Sequence, residues 1–249
     1  LAIRGIEANL GSFNADTFFN DCHPPLRADY IMANPPFNLS DWGADKLKDD
    51  VRWQYGMPPA GNANFAWLQH MIKSMTAKNG RCAVVLPQGV LFRGGKEGEI
   101  RKQLVESDKL ECIITLVGGV FYSTGVSACI LFLNNNKPAA HRGKICMIDA
   151  STIYTPQRAQ NIMTEDDIQK VYDLYADYDD VIEKVKVVTL EDIRGKEYTL
   201  AINNYIEKKE VETVPPAEIR RQYFEAYEEM LAAEECMRQL LVEGGYVNE

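Results

Sequence analysis

The 249-residue sequence has no Cys-x-x-Cys pair, no long apolar run and no surplus of positive charge. Each absence excludes something. No stretch approaches the ~20 apolar residues that a membrane-spanning helix needs, so none is expected. No basic segment leading into an apolar one opens the chain, so no secretion signal is expected. The six cysteines are scattered, and none has a His at metal-ligand spacing, so no metal site is expected. Cys22-His23 is an adjacent pair with no further ligand cluster around it. Cys82, Cys112, Cys129 and Cys146 lie in apolar runs and read as small buried hydrophobes. That usage suits a reducing, cytoplasmic compartment. The net charge of −9 excludes a strong unaided grip on nucleic acid, because phosphate neutralisation needs clustered Lys and Arg. There is no internal repeat and no low-complexity tract.

What is present is an ordinary globular composition, 46% hydrophobic and 25% charged, enough for one core with an appendage. Residues 1–10 read as a helix without a capping residue, as if the chain were part of something longer. Strands are expected over 28–33, 82–86, 111–117, 127–133 and 144–149, with helices over 64–77 and 97–106. No helical pattern separates 111–117 from 127–133, so these two strands should form an antiparallel hairpin. Thr164-Glu165-Asp166-Asp167 and Thr189-Leu190-Glu191-Asp192 read as capping boxes, each opening a helix. The acidic run at Asp177, Asp179 and Asp180 reads as a solvated helix end. After Pro215-Pro216 a long helix is expected over 217–242. Its seam of Ile219, Tyr223, Ala226, Met230, Ala233, Met237 and Leu240 keeps heptad spacing. Such a seam packs on the protein's own body or on a partner helix, and its place after a diproline break favours the partner. The alternation of strands and helices predicts an α/β fold with a covered sheet.

The strongest chemical signal is Asp29-Tyr30-Ile31-Met32-Ala33-Asn34-Pro35-Pro36-Phe37. It places a polar Asn at the carboxyl end of a buried strand, where open α/β sheets bind ligands. Two prolines then stiffen the turn, and an aromatic residue follows. The amino nitrogen of adenine is a poor nucleophile because its lone pair is delocalised into the ring. Two acceptors that take both its hydrogens free that lone pair. The Asn34 side-chain oxygen and the Pro35 carbonyl suit this role, and the prolines hold them still. Phe37 suits stacking on a base rotated out of a duplex. A strand ending in a turn, with Phe37 plugging the core, is the plainer alternative.

Asn34-Pro35-Pro36-Phe37 resembles the catalytic motif of amino-methyltransferases, and its surroundings resemble the modification subunit of type I restriction–modification systems. Asn14-Ala15-Asp16-Thr17-Phe18 resembles that family's segment ahead of the catalytic strand. Asn64-Phe65-Ala66-Trp67-Leu68-Gln69-His70 is similar to its helix behind the active site. Leu86-Pro87-Gln88-Gly89-Val90-Leu91-Phe92 with Ile100-Arg101, and Val120-Phe121-Tyr122-Ser123-Thr124-Gly125-Val126-Ser127, resemble its next strand and loop. The likeness is dense over 1–135 and returns near 198–205.

The resemblance implies a partial Rossmann-like S-adenosylmethionine-dependent methyltransferase fold with a C-terminal helical extension. It implies adenine-N6 methylation of DNA, with catalytic residues Asn34, Pro35, Pro36 and Phe37. It implies a cofactor set of Asp16, Thr17, Asn34 and Phe65, with 13–19 as a strand. It further implies a Gly-rich loop and an acidic residue upstream of Leu1, without which this chain alone would bind cofactor weakly or not at all. Three regions are expected: a partial catalytic domain at 1–138, an extension at 139–210 and a docking helix at 211–249. The implied partners are DNA, held through a complex, a specificity subunit and possibly a restriction subunit. Methylation of protein glutamine or an RNA base, or a non-catalytic assembly module, stay open. Arg93-Gly94-Gly95-Lys96 reads as a flexible loop that can touch DNA phosphates. Gly118, Gly119, Tyr122, Ser123 and Thr124 read as either a plain loop or part of the base pocket. His70 reads as a core histidine.

Overall fold

The computed structural model describes residues 3, 5–121, 125–158, 160–207 and 215–246, in two units, 1–208 and 209–249. The first unit is built on a six-stranded sheet. Its strands are β1 (Tyr30–Ala33), β2 (Arg81–Pro87), β3 (Leu110–Leu116), β4 (Ala128–Asn134), β5 (Lys144–Ala150) and β8 (Val185–Thr189). Their order across the sheet is β1-β2-β4-β3-β5-β8. The β1/β2 and β3/β5 pairs are parallel, whereas β4 runs antiparallel to both β2 and β3, and β8 is antiparallel to β5. The expected hairpin is therefore present, and it inserts β4 between two strands that come earlier in the chain.

Apolar residues cover both faces. On one side α1 (Asn64–Ser74), α2 (Lys96–Glu106) and α4 (Leu190–Gly195) bring Phe65, Leu68, Ile100, Leu104 and Ile193 onto Val84, Leu131 and Met147. On the other, α3 (Glu165–Asp177) sets Val171 against Cys146, Ile148 and Val185. Strands buried on both faces read as continuous apolar runs, which is why the sequence shows them so clearly. In β3 the alternation breaks: Leu110 belongs to the first face and Cys112 to the second. A register shift between these residues sets two positions against one on β4 and so turns the chain over. The four strand cysteines are buried. Both capping boxes form, with Thr164 and Thr189 accepting from the N–H groups of Asp167 and Asp192.

Two expected elements are not found among the described residues. Residues 13–19 are not a strand. Asp16 instead caps a turn, its side chain accepting from the Phe18 N–H at 2.9 Å and its carbonyl from the Asn20 N–H at 2.7 Å. Phe18 plugs a nest of Trp42, Trp53 and Trp67. A strand needs a neighbour for its backbone, and no described strand lies beside this segment. Residues 5–10 form no helix either, for an apolar stripe without a layer beneath it gains nothing by coiling. The two-residue strands β6 (Thr155–Pro156) and β7 (Asn161–Ile162) and the edge strand β8 carried too little pattern to be read.

In the second unit one helix is described, α5 (Pro216–Glu243), with a proline in its first turn and Gly244 closing it. It extends for roughly 42 Å at 1.5 Å per residue. A lone helix has no second layer, so its heptad seam finds no cover within this unit. No helix among the described residues is long and apolar enough to cross a membrane.

Arg101, in the middle of α2, ties that helix to the chain ahead of it and to the segment after α4. Its buried guanidinium donates to the carbonyls of Tyr198, Val90 and Arg93, at 2.7, 3.1 and 2.8 Å. Arg101→Ala leaves those carbonyls short of a donor. It should lower unfolding stability by about 3 kcal/mol, read as a fall in the urea midpoint without change of slope. An unchanged midpoint would show the ties to be dispensable.

Candidate functional site

β1 is an edge strand. Its inner residues Ile31 and Ala33 pack on the core, whereas Met32 is 90% exposed. The chain leaves the sheet at Ala33, and the next residues build a pocket. Asn34, Pro35, Pro36, Phe37 and Asn38 line a cavity of about 570 Å³ together with Phe121 and Val126. Pro35 is buried and anchors the corner, while Asn34 and Pro36 are exposed. Among the described residues neither the Asn34 side chain nor the Pro35 carbonyl has a hydrogen-bond partner, so both oxygens are available to a ligand. The Phe37 and Phe121 rings meet edge to face, with centroids 5.9 Å apart and planes at 83°. Among the described residues no ionisable side chain lines this cavity. It therefore suits an uncharged, planar group with hydrogen-bond donors on its edge.

The corner is clamped from behind. Asn38 sits at φ 52°, in the left-handed region that Asn tolerates. Its N–H donates to the Asn64 side-chain oxygen at 2.9 Å, and the Asn64 amide donates back to the Asn38 side-chain oxygen at 3.0 Å. Arg93 donates to the same Asn38 oxygen at 3.1 Å. One residue on, Leu39 accepts from the Ala63 N–H at 2.9 Å. Asn64 is fully buried at the start of α1, so the helix and the corner share one rigid joint. Sequence reading saw Asn64 only as the first residue of a helix and gave Asn38 no role. An Asn at a helix start ordinarily signals a cap, and nothing in the pattern pointed to a partner so far back along the chain.

The other expected site residues lie elsewhere. Thr17 lines a separate cleft of about 300 Å³ with Asp21, His23, His70 and Ser74. Asp16 is exposed beside it, one carboxylate oxygen held by the turn. Arg52 fixes this segment by donating to the Thr17 carbonyl at 3.1 Å and to the Phe18 carbonyl, and it is itself paired with Asp50. Burial, and then the Arg52 charge, hold the His70 pKa below its usual value, and the ring is neutral at pH 7. Phe65 lies in the main core at 1% exposure because the inner face of α1 packs on the sheet. The structure thus gathers Asn34, Pro35, Pro36 and Phe37 with Phe121, and sets Asp16, Thr17 and Phe65 apart from that cavity. Tyr122, Ser123 and Thr124 lie outside the described residues.

Asn64→Ala removes both arms of the clamp and strands the Asn38 N–H. Unfolding stability should fall by about 2 kcal/mol. Asn64→Asp keeps one acceptor but sets a buried carboxylate oxygen against the Asn38 side-chain oxygen and should cost at least as much, so a parental midpoint for either variant would contradict the paired geometry.

Comparison with known proteins places this arrangement. Residues 1–213 match the family model described as N-6 DNA Methylase. The chain is 42% identical over 228 residues to the type I restriction enzyme HindI methylase subunit of Haemophilus influenzae, covering 88% of this chain and 51% of that protein. It is 34% identical over 254 residues to the MjaIX methylase subunit of Methanocaldococcus jannaschii, covering 96% and 45%. The crystal structure of a type I restriction–modification methyltransferase subunit from Streptococcus thermophilus aligns with a TM-score of 0.72 at 33% identity, over 78% of this chain and 42% of that one. The chain spans about half the length of the curated relatives it matches. Its sheet, its asparagine–diproline corner and these matches agree: the chain belongs to the N-6 DNA methylase family, alongside the methylase subunits of type I restriction enzymes.

Proposed function

We propose that this chain carries the target-base pocket of an S-adenosylmethionine-dependent adenine-N6 DNA methyltransferase. It does so within the modification subunit of a type I restriction–modification complex. The observation that carries the reading is the uncharged, aromatic-walled cavity headed by two open oxygen acceptors on a diproline corner. The family match favours DNA over an RNA base or a protein glutamine as the acceptor.

The adenine amine donates its two hydrogens to the Asn34 side-chain oxygen and the Pro35 carbonyl. The nitrogen then moves toward tetrahedral geometry and its lone pair is freed. As the new N–C bond forms, the surplus amine proton passes to water. Phe37 stacks on the base, which a duplex must release by rotation. S-adenosylmethionine supplies an electrophilic methyl group on a sulfonium that departs uncharged. Asp16, Thr17, Asn34 and Phe65 are this chain's share of the cofactor site. The free oxygen of Asp16 fits an amino donor and Thr17 lines the neighbouring cleft, whereas Phe65, buried in the main core, would act only by supporting α1 from within. Catalysis is then positioning and hydrogen bonding, with no metal or general acid required.

The net charge of −9 makes this chain a poor DNA clamp by itself. A specificity subunit, with or without a restriction subunit, would supply the grip and the sequence reading. The α5 seam is the surface proposed for subunit docking, and the Arg93–Lys96 loop for a DNA phosphate.

Asn34→Ala in the complete complex should slow methyl transfer to unmethylated DNA about a hundredfold or more, with little change in thermal midpoint. Transfer at the parent rate would overturn the reading.

A further inference from the structure

Phe121 reaches the pocket from a loop that leaves β3 through Val117, Gly118 and Gly119. Gly119 has φ 77°, a left-handed conformation that favours glycine, so the loop turns sharply there. Among the described residues Asn161 holds this turn by two hydrogen bonds. The Asn161 side-chain amide donates to the Gly118 carbonyl at 2.8 Å, and the Asn161 backbone N–H donates to the Gly119 carbonyl at 3.1 Å. A Cβ placed on Gly119 would stand 3.7 Å from the Asn161 amide nitrogen, so the two segments are in van der Waals contact. Two consecutive peptide planes are thereby fixed, and only Val120 separates them from Phe121.

Asn161 itself stands on a firm base. It opens β7, which pairs with β6, and β6 is anchored to α3 by the Thr155 hydroxyl donating to the Asp167 carboxylate at 3.2 Å. Asp167 is also the capping-box carboxylate of α3, receiving the Thr164 hydroxyl at 2.8 Å. Hydrogen bonds to Asp167 hold its pKa down at about 2, so this anchor is charged throughout the working pH range.

We propose that Asn161 is a positioning residue for methyl transfer: it fixes the Gly118–Gly119 turn and thereby sets the Phe121 ring edge-on to Phe37. Asn161 does not line the base cavity and acts only through Phe121. A site held within about half an ångström needs such support behind the residues that touch the ligand. The proposal rests on the base-pocket reading above.

The test is a double-mutant cycle in the complete methyltransferase complex. Transfer of tritiated methyl groups from S-adenosylmethionine to PCR-amplified DNA, which carries no methylation, is the readout. Asn161→Asp keeps size but replaces the donor with an acceptor facing the Gly118 carbonyl. Asn161→Ala removes the donor without adding charge and serves if the first variant misfolds. Either should lower kcat about tenfold with the KM for the cofactor unchanged. In a Phe121→Ala background the same substitution should change kcat less than about twofold, because the ring it positions is gone. Equal losses in both backgrounds, or no loss in the parent, would overturn the proposal while leaving the base pocket standing. A fully active Phe121→Ala variant would overturn the base-pocket reading along with it.

Discussion

The reciprocal hydrogen bonds between Asn38 and Asn64 are the constraint on which the site depends. β1 fixes one end of the Asn34–Phe37 corner through its pairing with β2. Without the second anchor at Asn38, the diproline would be a stiff rod on a swivel. With it, the corner is held at both ends and its two free oxygens keep one direction. The cost of orienting those dipoles is then met during folding rather than when a ligand arrives. The anchor works because Asn64 is buried and its amide can accept and donate at once, which neither a carboxylate nor a hydroxyl does as well in that geometry.

The same economy appears on the far wall. The Phe37 corner is tied back to α1, and the Phe121 loop to Asn161 and the α3 cap. Both rings pack on the same core, on the α3 side of the sheet. The cavity lies at the carboxyl end of β1, where the chain steps out of the sheet and backbone groups become free for a ligand. Among the described residues its lining is uncharged, yet Arg93 stands one hydrogen bond behind it.

How much of this was legible follows from the range of each signal. The strands at 82–86, 111–117 and 127–133 were readable because burial on both faces writes an unbroken apolar run. The capping boxes at Thr164 and Thr189 were readable because their partners lie three residues away. Asn34, Pro35, Pro36 and Phe37 were readable because the chemistry is consecutive. What escaped is non-local. Asn38 finds Asn64, and Gly118 finds Asn161, across separations that no periodicity records. The bulge at the start of β3 cannot be seen in a run that is apolar at every position. The family resemblance implied a strand over 13–19, but a strand exists only beside another, and here Phe18 is drawn into a tryptophan nest instead.

The account rests on two oxygens meeting one amino group. A crystal structure of the complete methyltransferase with its DNA and an unreactive cofactor analogue would measure this directly. The account predicts the target adenine N6 within about 3.2 Å of both the Asn34 side-chain oxygen and the Pro35 carbonyl. A flipped adenine whose amino group meets neither oxygen would contradict it.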